Sequence, residues 1–184
     1  MDSSGTLYTI GHSNREIDVF TGMLREAGIA TLVDVRRFPG SKRWPQFMGE
    51  ALAASLEDAG IGYVHVGALG GRRKARPDSP NTAWRVEGFR AYADHLASGE
   101  YINARHALMD RALVEPTAVM CAEALWWQCH RRLISDDFTA RGWEVRHLMA
   151  PGKVQPHVLN VEAVMMDDVL EYPAPQMDIF PGET

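Results

Sequence analysis

Residues 7–35 read LYTIGHSNREIDVFTGMLREAGIATLVDV, and this stretch decides the fold. Its first four residues, Leu7 to Ile10, are a β-branched and aromatic run closed by Gly11, the pattern of a strand ending at a turn. Ser13 stands three residues before Glu16, which predicts a capping box. Ile17, Phe20, Leu24 and Ala27 then recur at helical spacing, and Gly28 supplies the stop. Residues 29–35 are nearly all apolar, with one ionisable side chain, Asp34, near the end, as in a buried strand. Strand, helix and strand in this order predict a βαβ unit.

The alternation continues downstream. Residues 45–59 place Met48, Leu52 and Leu56 in helical register, closed by Gly60, and residues 63–66 form a further strand. A polar stretch over residues 72–81 carries four basic residues and two prolines and predicts a surface loop. Helices are expected over 84–97, 101–113 and 129–140, with strands over 117–122 and 143–148. The expected architecture is therefore α/β: one domain over residues 1–150, with a mostly parallel sheet of about five strands and helices on both faces. Residues 151–184 hold five of the ten prolines and read as an acidic, proline-rich extension, with a short helix near 161–169 and loose packing.

Composition narrows the class. The 184 residues are 46% apolar and 23% charged, which excludes a largely disordered chain. No apolar run reaches the ~18 residues of a membrane span. The N-terminal segment has neither the basic start nor the apolar stretch of a secretion signal, and two cysteines make no disulfide framework, so a cytoplasmic setting is expected. Net charge is −5, but residues 160–184 carry six acidic and no basic residues. The remainder is thus +1, and residues 36–90 alone carry ten basic against five acidic. A nucleic-acid or other anionic partner stays compatible with that distribution, and the acidic tail is a candidate competitor over the basic face.

Ligands of open parallel sheets bind outside the carboxyl ends of the strands. Those ends carry Gly11-His12-Ser13, Asp34-Val35-Arg36, Gly70-Gly71-Arg72, Cys121-Ala122-Glu123 and His147. Cys129-His130-Arg131-Arg132 is expected at a helix N-terminus, where two arginines oppose the helix dipole unless an anion sits there. The alternative is that Arg131 and Arg132 pair with Asp136 and Asp137 one turn on.

Taken in order, YTIGHS, LVDVR followed by a proline, the glycine- and histidine-containing stretch of residues 62–71, CAE and CHRRLISD resemble the domain-of-unknown-function 488 family. The resemblance runs from about Tyr8 to Leu148 and implies an α/β fold without implying a reaction. The matching positions are His12, Ser13, Asp34, Arg36, Pro39, His65, Gly70, Gly71, Arg72, Cys121, Glu123, Cys129, His130 and Arg131.

Three chemistries fit these residues. In the first, an enzyme hydrolyses a bond beside a phosphate-bearing group of a nucleotide or nucleic-acid base. Glu123 is its nucleophile or acid/base and Asp34 a second carboxylate, while Arg36, Arg72 and Arg131 hold the anion. His12 or His130 moves protons; Ser13 is a cap first and a ligand contact second; Gly70 and Gly71 allow close backbone approach or merely turn the chain. Asp34 and Glu123 have a plain structural reading as partners of the arginines. In the second, Cys129 is a nucleophile, or zinc is held by a subset of Cys121, Cys129, His130, His12, His65 and His147. The spacing is not a zinc signature, and Cys121 also reads as a small core residue, so no cofactor is expected outside that case. In the third, the arginines serve a non-catalytic nucleotide or nucleic-acid binding protein, with Phe38, Trp44, Phe47 and Trp84 offering stacking faces.

Overall fold

The computed structural model describes residues 4–174. Its strands and helices alternate as β1 (Thr6–Gly11), α1 (Ile17–Glu26), β2 (Thr31–Asp34), α2 (Gly49–Asp58) and β3 (Gly62–His65). They continue through α3 (Glu87–Leu96), α4 (Gly99–Val114), β4 (Thr117–Cys121), α5 (Arg131–Ala140) and β5 (Glu144–Ala150). Three short strands close the described chain: β6 (Lys153–Pro156), β7 (Val164–Met166) and β8 (Val169–Glu171). The main sheet has six strands in the order β3-β2-β4-β1-β5-β6, and β7 pairs with β8 as a separate hairpin.

The five expected strands are β1 to β5, and the pairings among them are all parallel. The sixth, β6, is antiparallel to β5 and falls in the stretch read as a loose extension. Its turn was written in the sequence as Pro151-Gly152, with Gly152 at φ 68° where a side chain would be strained. Pro156 fits because β6 lies at the sheet edge, where a missing N–H costs no ladder bond. The helix expected over 161–169 is instead the β7–β8 hairpin. Asp167 and Asp168 take φ 47° and 64° at its two-residue turn, a conformation that short polar side chains tolerate. Residues 175–184, the end of the acidic tail, lie outside the described residues.

Period-two alternation divides the core. Ile10, Leu32, Ala118, Met120 and Leu148 face α1 and α2, where Phe20, Leu24, Leu52 and Leu56 are fully buried. Leu7, Val33, Val119, Cys121 and Val145 face the other way, onto a layer that includes Tyr92, Tyr101, Leu133 and Phe138. Helices therefore cover both faces, as a mostly parallel sheet requires. Leu170 and Tyr172 belong to this second core, so the described part of the extension joins the domain's packing.

Chain direction now locates the crevice. From β2 the chain runs outward through α2 to β3, whereas from β4 it runs the opposite way through α5 to β5. Neighbouring strands β2 and β4 thus send their connections to opposite faces, which opens a gap at their carboxyl ends.

Candidate functional site

A cavity of about 450 Å³ lies at that gap. Arg36, Arg37 and Phe38 line it from the end of β2; Cys121, Ala122 and Glu123 from the end of β4; and Cys129 and His130 from the start of α5. Gly71 and Arg72 close one side, and Phe89 and Tyr92 of α3 form an aromatic wall.

Of the residues expected at the site, the cavity gathers Arg36, Gly71, Arg72, Glu123, Cys129 and His130, and leaves out His12, Ser13, Asp34, Gly70, Trp44 and Arg131. Asp34 is fully buried and saturated. It accepts from the Arg36 Nη2 at 2.6 Å, the Arg36 Nε at 2.9 Å and the Tyr63 hydroxyl at 2.8 Å. The carboxylate–arginine pairing is therefore the one Asp34 adopts, and it commits Arg36 as well. Arg36 spends its Nη1 on the Phe47 carbonyl at 2.8 Å and on His12 Nε2 at 3.3 Å.

His12 is part of the same buried assembly. Its ring stacks on Phe47 at 4.4 Å, and its Nδ1 donates to the Ser13 carbonyl at 2.9 Å. That bond fixes the tautomer, leaving Nε2 bare to accept from Arg36. Burial pushes the His12 pKa down to about 4, with Arg36 adding to the effect against the Ser13 bond. A proton shuttle near neutral pH is not what this environment provides. Ser13 does not cap α1: Glu16 occupies that position without a side-chain bond, and Ser13 turns at φ 47° with its hydroxyl on Asn14. Trp44 packs against the α1–α2 core, with Arg43 over its ring.

Arg131 is 1% exposed and pairs with neither Asp136 nor Asp137. Its guanidinium donates to the backbone carbonyls of Glu123 and Ala124 and to the Thr9 hydroxyl. The arginine thus positions the Glu123 segment from below instead of meeting a ligand. Asp136 accepts from His157 and Tyr172, and Asp137 from Tyr101 and Arg141, so both carboxylates hold the fold. Arg132 lies over the Trp84 ring at 4.8 Å. Among the expected stacking faces, Phe47 and Trp84 are buried, and Phe38 is 65% exposed at the cavity.

Glu123 is exposed, and its carboxylate has neither an ion pair nor a hydrogen bond among the described residues. Arg72, at φ 59°, is exposed on the same cavity, and its guanidinium likewise has no carboxylate partner among the described residues. Gly70 is required where it stands, because a Cβ there would come within 2.6 Å of the Arg37 backbone.

Cys121, Cys129 and His130 converge: their ligand atoms all lie within 4.8 Å of one another. His130 Nδ1 is 3.8 Å from Cys121 Sγ and 3.6 Å from Cys129 Sγ. Burial by itself raises a thiol pKa, but the neighbouring Cys121 thiol, the His130 ring and the Arg131 guanidinium outweigh it and hold Cys129 well below the ordinary thiol value. Cys121, beside the Cys129 sulfur and desolvated, is pushed well above it. His12, His65 and His147 stand apart from this cluster. The position of Cys121 was readable in outline, since it shares the β4 face of Val119 that looks toward α5. Arg37, Phe89 and Tyr92 escaped the sequence reading because an arginine in a loop and aromatics on an amphipathic helix carry no mark of facing a cavity.

A family model for a domain of unknown function, DUF488, matches residues 16–137. The chain belongs to the DUF488 family. The matched region begins after His12 and Ser13 and contains every residue named above as lining the cavity. No curated protein and no solved structure matches the chain. Among the described residues, no helix is long and apolar enough to cross a membrane.

Proposed function

We propose that this DUF488 protein is a hydrolase whose substrate is a phosphate-bearing nucleotide, or a base within a nucleic acid, held in the cavity between β2 and β4. The observation that carries the reading is that one cavity is lined by an uncommitted Glu123 carboxylate and an uncommitted Arg72 guanidinium, while Asp34, Arg36 and Arg131 are spent on internal bonds. Arg72 meets the anion, with Arg37 beside it, through charge-assisted bonds. Phe38 offers an exposed flat face on which a base stacks. Glu123 takes the proton of the attacking water and returns one to the leaving group, a role that needs a carboxylate free of an arginine partner. The Arg131 bonds to the Glu123 and Ala124 carbonyls preset the backbone that carries it.

The test is turnover of labelled nucleotides and single-stranded oligonucleotides by the wild type and by Glu123→Gln. The variant is expected to bind as the wild type does and to lose about 10²- to 10⁴-fold in rate, the usual contribution of a positioned acid/base. Equal rates would remove Glu123 from the mechanism. Binding without turnover by the wild type would replace the hydrolase reading with the non-catalytic one. Arg72→Ala is expected to weaken binding and flatten its salt dependence.

A further inference from the structure

We propose that Cys121, Cys129 and His130 form a binding site for a thiophilic divalent cation, zinc foremost, with one coordination position open to the cavity. A tetrahedral zinc with Zn–S of about 2.3 Å and Zn–N of about 2.05 Å separates the nitrogen from each sulfur by about 3.6 Å. The corresponding separations here are 3.6 and 3.8 Å, so the nitrogen already stands from each sulfur at nearly the spacing a metal imposes, and all three donor atoms lie within 4.8 Å of one another.

Two further features favour coordination. The His130 Nε2 donates to the Val35 carbonyl at 3.1 Å, which leaves the Nδ1 lone pair directed at the two sulfurs. A metal-ligating histidine is held in its tautomer by this kind of bond on its far nitrogen. Gly71 supplies the second, because a Cβ there would lie 3.1 Å from that same Nδ1, so the glycine keeps the nitrogen uncrowded. Borderline-soft zinc suits two thiolates and an imidazole better than the oxygen-seeking magnesium or calcium.

The ligand count decides the kind of site. Three protein donors leave the fourth position to water, the arrangement of catalytic zinc centres, whereas structural sites are closed by four. All three donors line the cavity, so that position faces the substrate space shared with Glu123. The metal site stands on its own geometry; its part in catalysis rests on the hydrolytic reading. There, the metal-bound water gives one proton to the Glu123 carboxylate, and its oxygen forms the new bond to the electrophilic atom of the substrate. The leaving group departs with the electron pair of the broken bond and takes the proton back from Glu123.

The experiment loads the full chain with zinc under reducing conditions, dialyses it and measures metal per chain by elemental analysis; cobalt(II) replaces zinc in a parallel sample. Expected are one metal per chain and, for cobalt, thiolate charge-transfer and tetrahedral d–d absorption. Cys129→Ser and His130→Gln are expected to lose both signals. Gly71→Ala keeps every donor and is expected to bind more weakly. A wild-type chain that retains no metal, a cobalt spectrum without thiolate bands, or a Cys121–Cys129 disulfide persisting under the same reducing conditions would each overturn the site. Metal retained without any nucleotide hydrolysis would keep the site and remove the hydrolase reading; hydrolysis by a chain that binds no metal would do the reverse.

Discussion

Gly11 carries more of the candidate site than its size suggests. A Cβ there would overlap the Glu123 carbonyl, so β1 and the segment after β4 pass this closely only because residue 11 has no side chain. Arg131 holds the same carbonyl from another side. Gly11→Ala is therefore expected to displace the 123–124 backbone, to cost ~1–3 kcal/mol through overpacking, and to lower any Glu123-dependent rate further than stability alone accounts for. Denaturant titration beside the turnover assay checks this, and an unperturbed variant would show that the loop relaxes freely. Legibility at this scale was partial. CAE and CHRR marked the right neighbourhood, but which arginine meets solvent and which is buried depends on neighbours distant in sequence. Arg131 and Arg72 look alike as letters; one lies under a loop and the other at the rim.

At the level of elements, the segment after β5 departs most from its sequence reading. Proline content and acidity suggested an appendage, whereas β6 extends the sheet and Leu170 and Tyr172 enter the core. Tyr172 donates to Asp136 at 2.9 Å, and its backbone N–H donates to Asn81 Oδ1 at 2.9 Å. Truncation after Leu159 removes a buried leucine and a buried tyrosine, Leu170 and Tyr172, together with the acidic residues. With ~1.5–3 kcal/mol for each such side chain, the truncated chain is expected to lose several kcal/mol of stability. A thermal melt reads the effect, and an unshifted transition would show that the hairpin is dispensable. The regular α and β segments were legible because their apolar periods of 3.6 and two are local; β7 and β8 were not, since three-residue strands leave almost no period to count, and β6 ends on a proline and carries a single apolar side chain besides it, Val154.

Across the whole molecule, two buried histidines make stability depend on pH. His12 and His147 have an ordinary pKa of 6.5 and are lowered to about 4 and about 3 in the fold, chiefly by burial. His147 stacks on Trp126 at 4.3 Å, and its ring nitrogens meet Thr9 at 2.7 Å and His157 at 3.0 Å. Between those values and 6.5 the unfolded chain binds protons that the folded chain refuses. Their stabilisation is thus fully present above the unfolded pKa and is lost as pH falls toward the folded values. At ~1.4 kcal/mol per pKa unit the loss is on the order of a few kcal/mol. Urea midpoints measured from about pH 7.5 down to about pH 4.5 should fall steadily, and His147→Gln should shallow the decline. A flat profile would mean that these rings gain compensating partners on protonation.

What the sequence by itself determined is the succession of elements, the parallel α/β class, the family, and the set of chemically capable residues at the strand ends. Each of these is encoded locally, in periodicity, in turn residues or in short motifs. Tertiary structure alone decided that β2 and β4 are the neighbours whose connections part, and therefore where the cavity opens. It also decided that Asp34 and Arg36 pair with each other and Arg131 with backbone carbonyls, while Glu123, Arg72 and the Cys121–Cys129–His130 cluster face the cavity. The physical reason is desolvation: a buried charge or polar group must find its partner inside the fold, and the chain's path through space determines which groups are left to face a ligand.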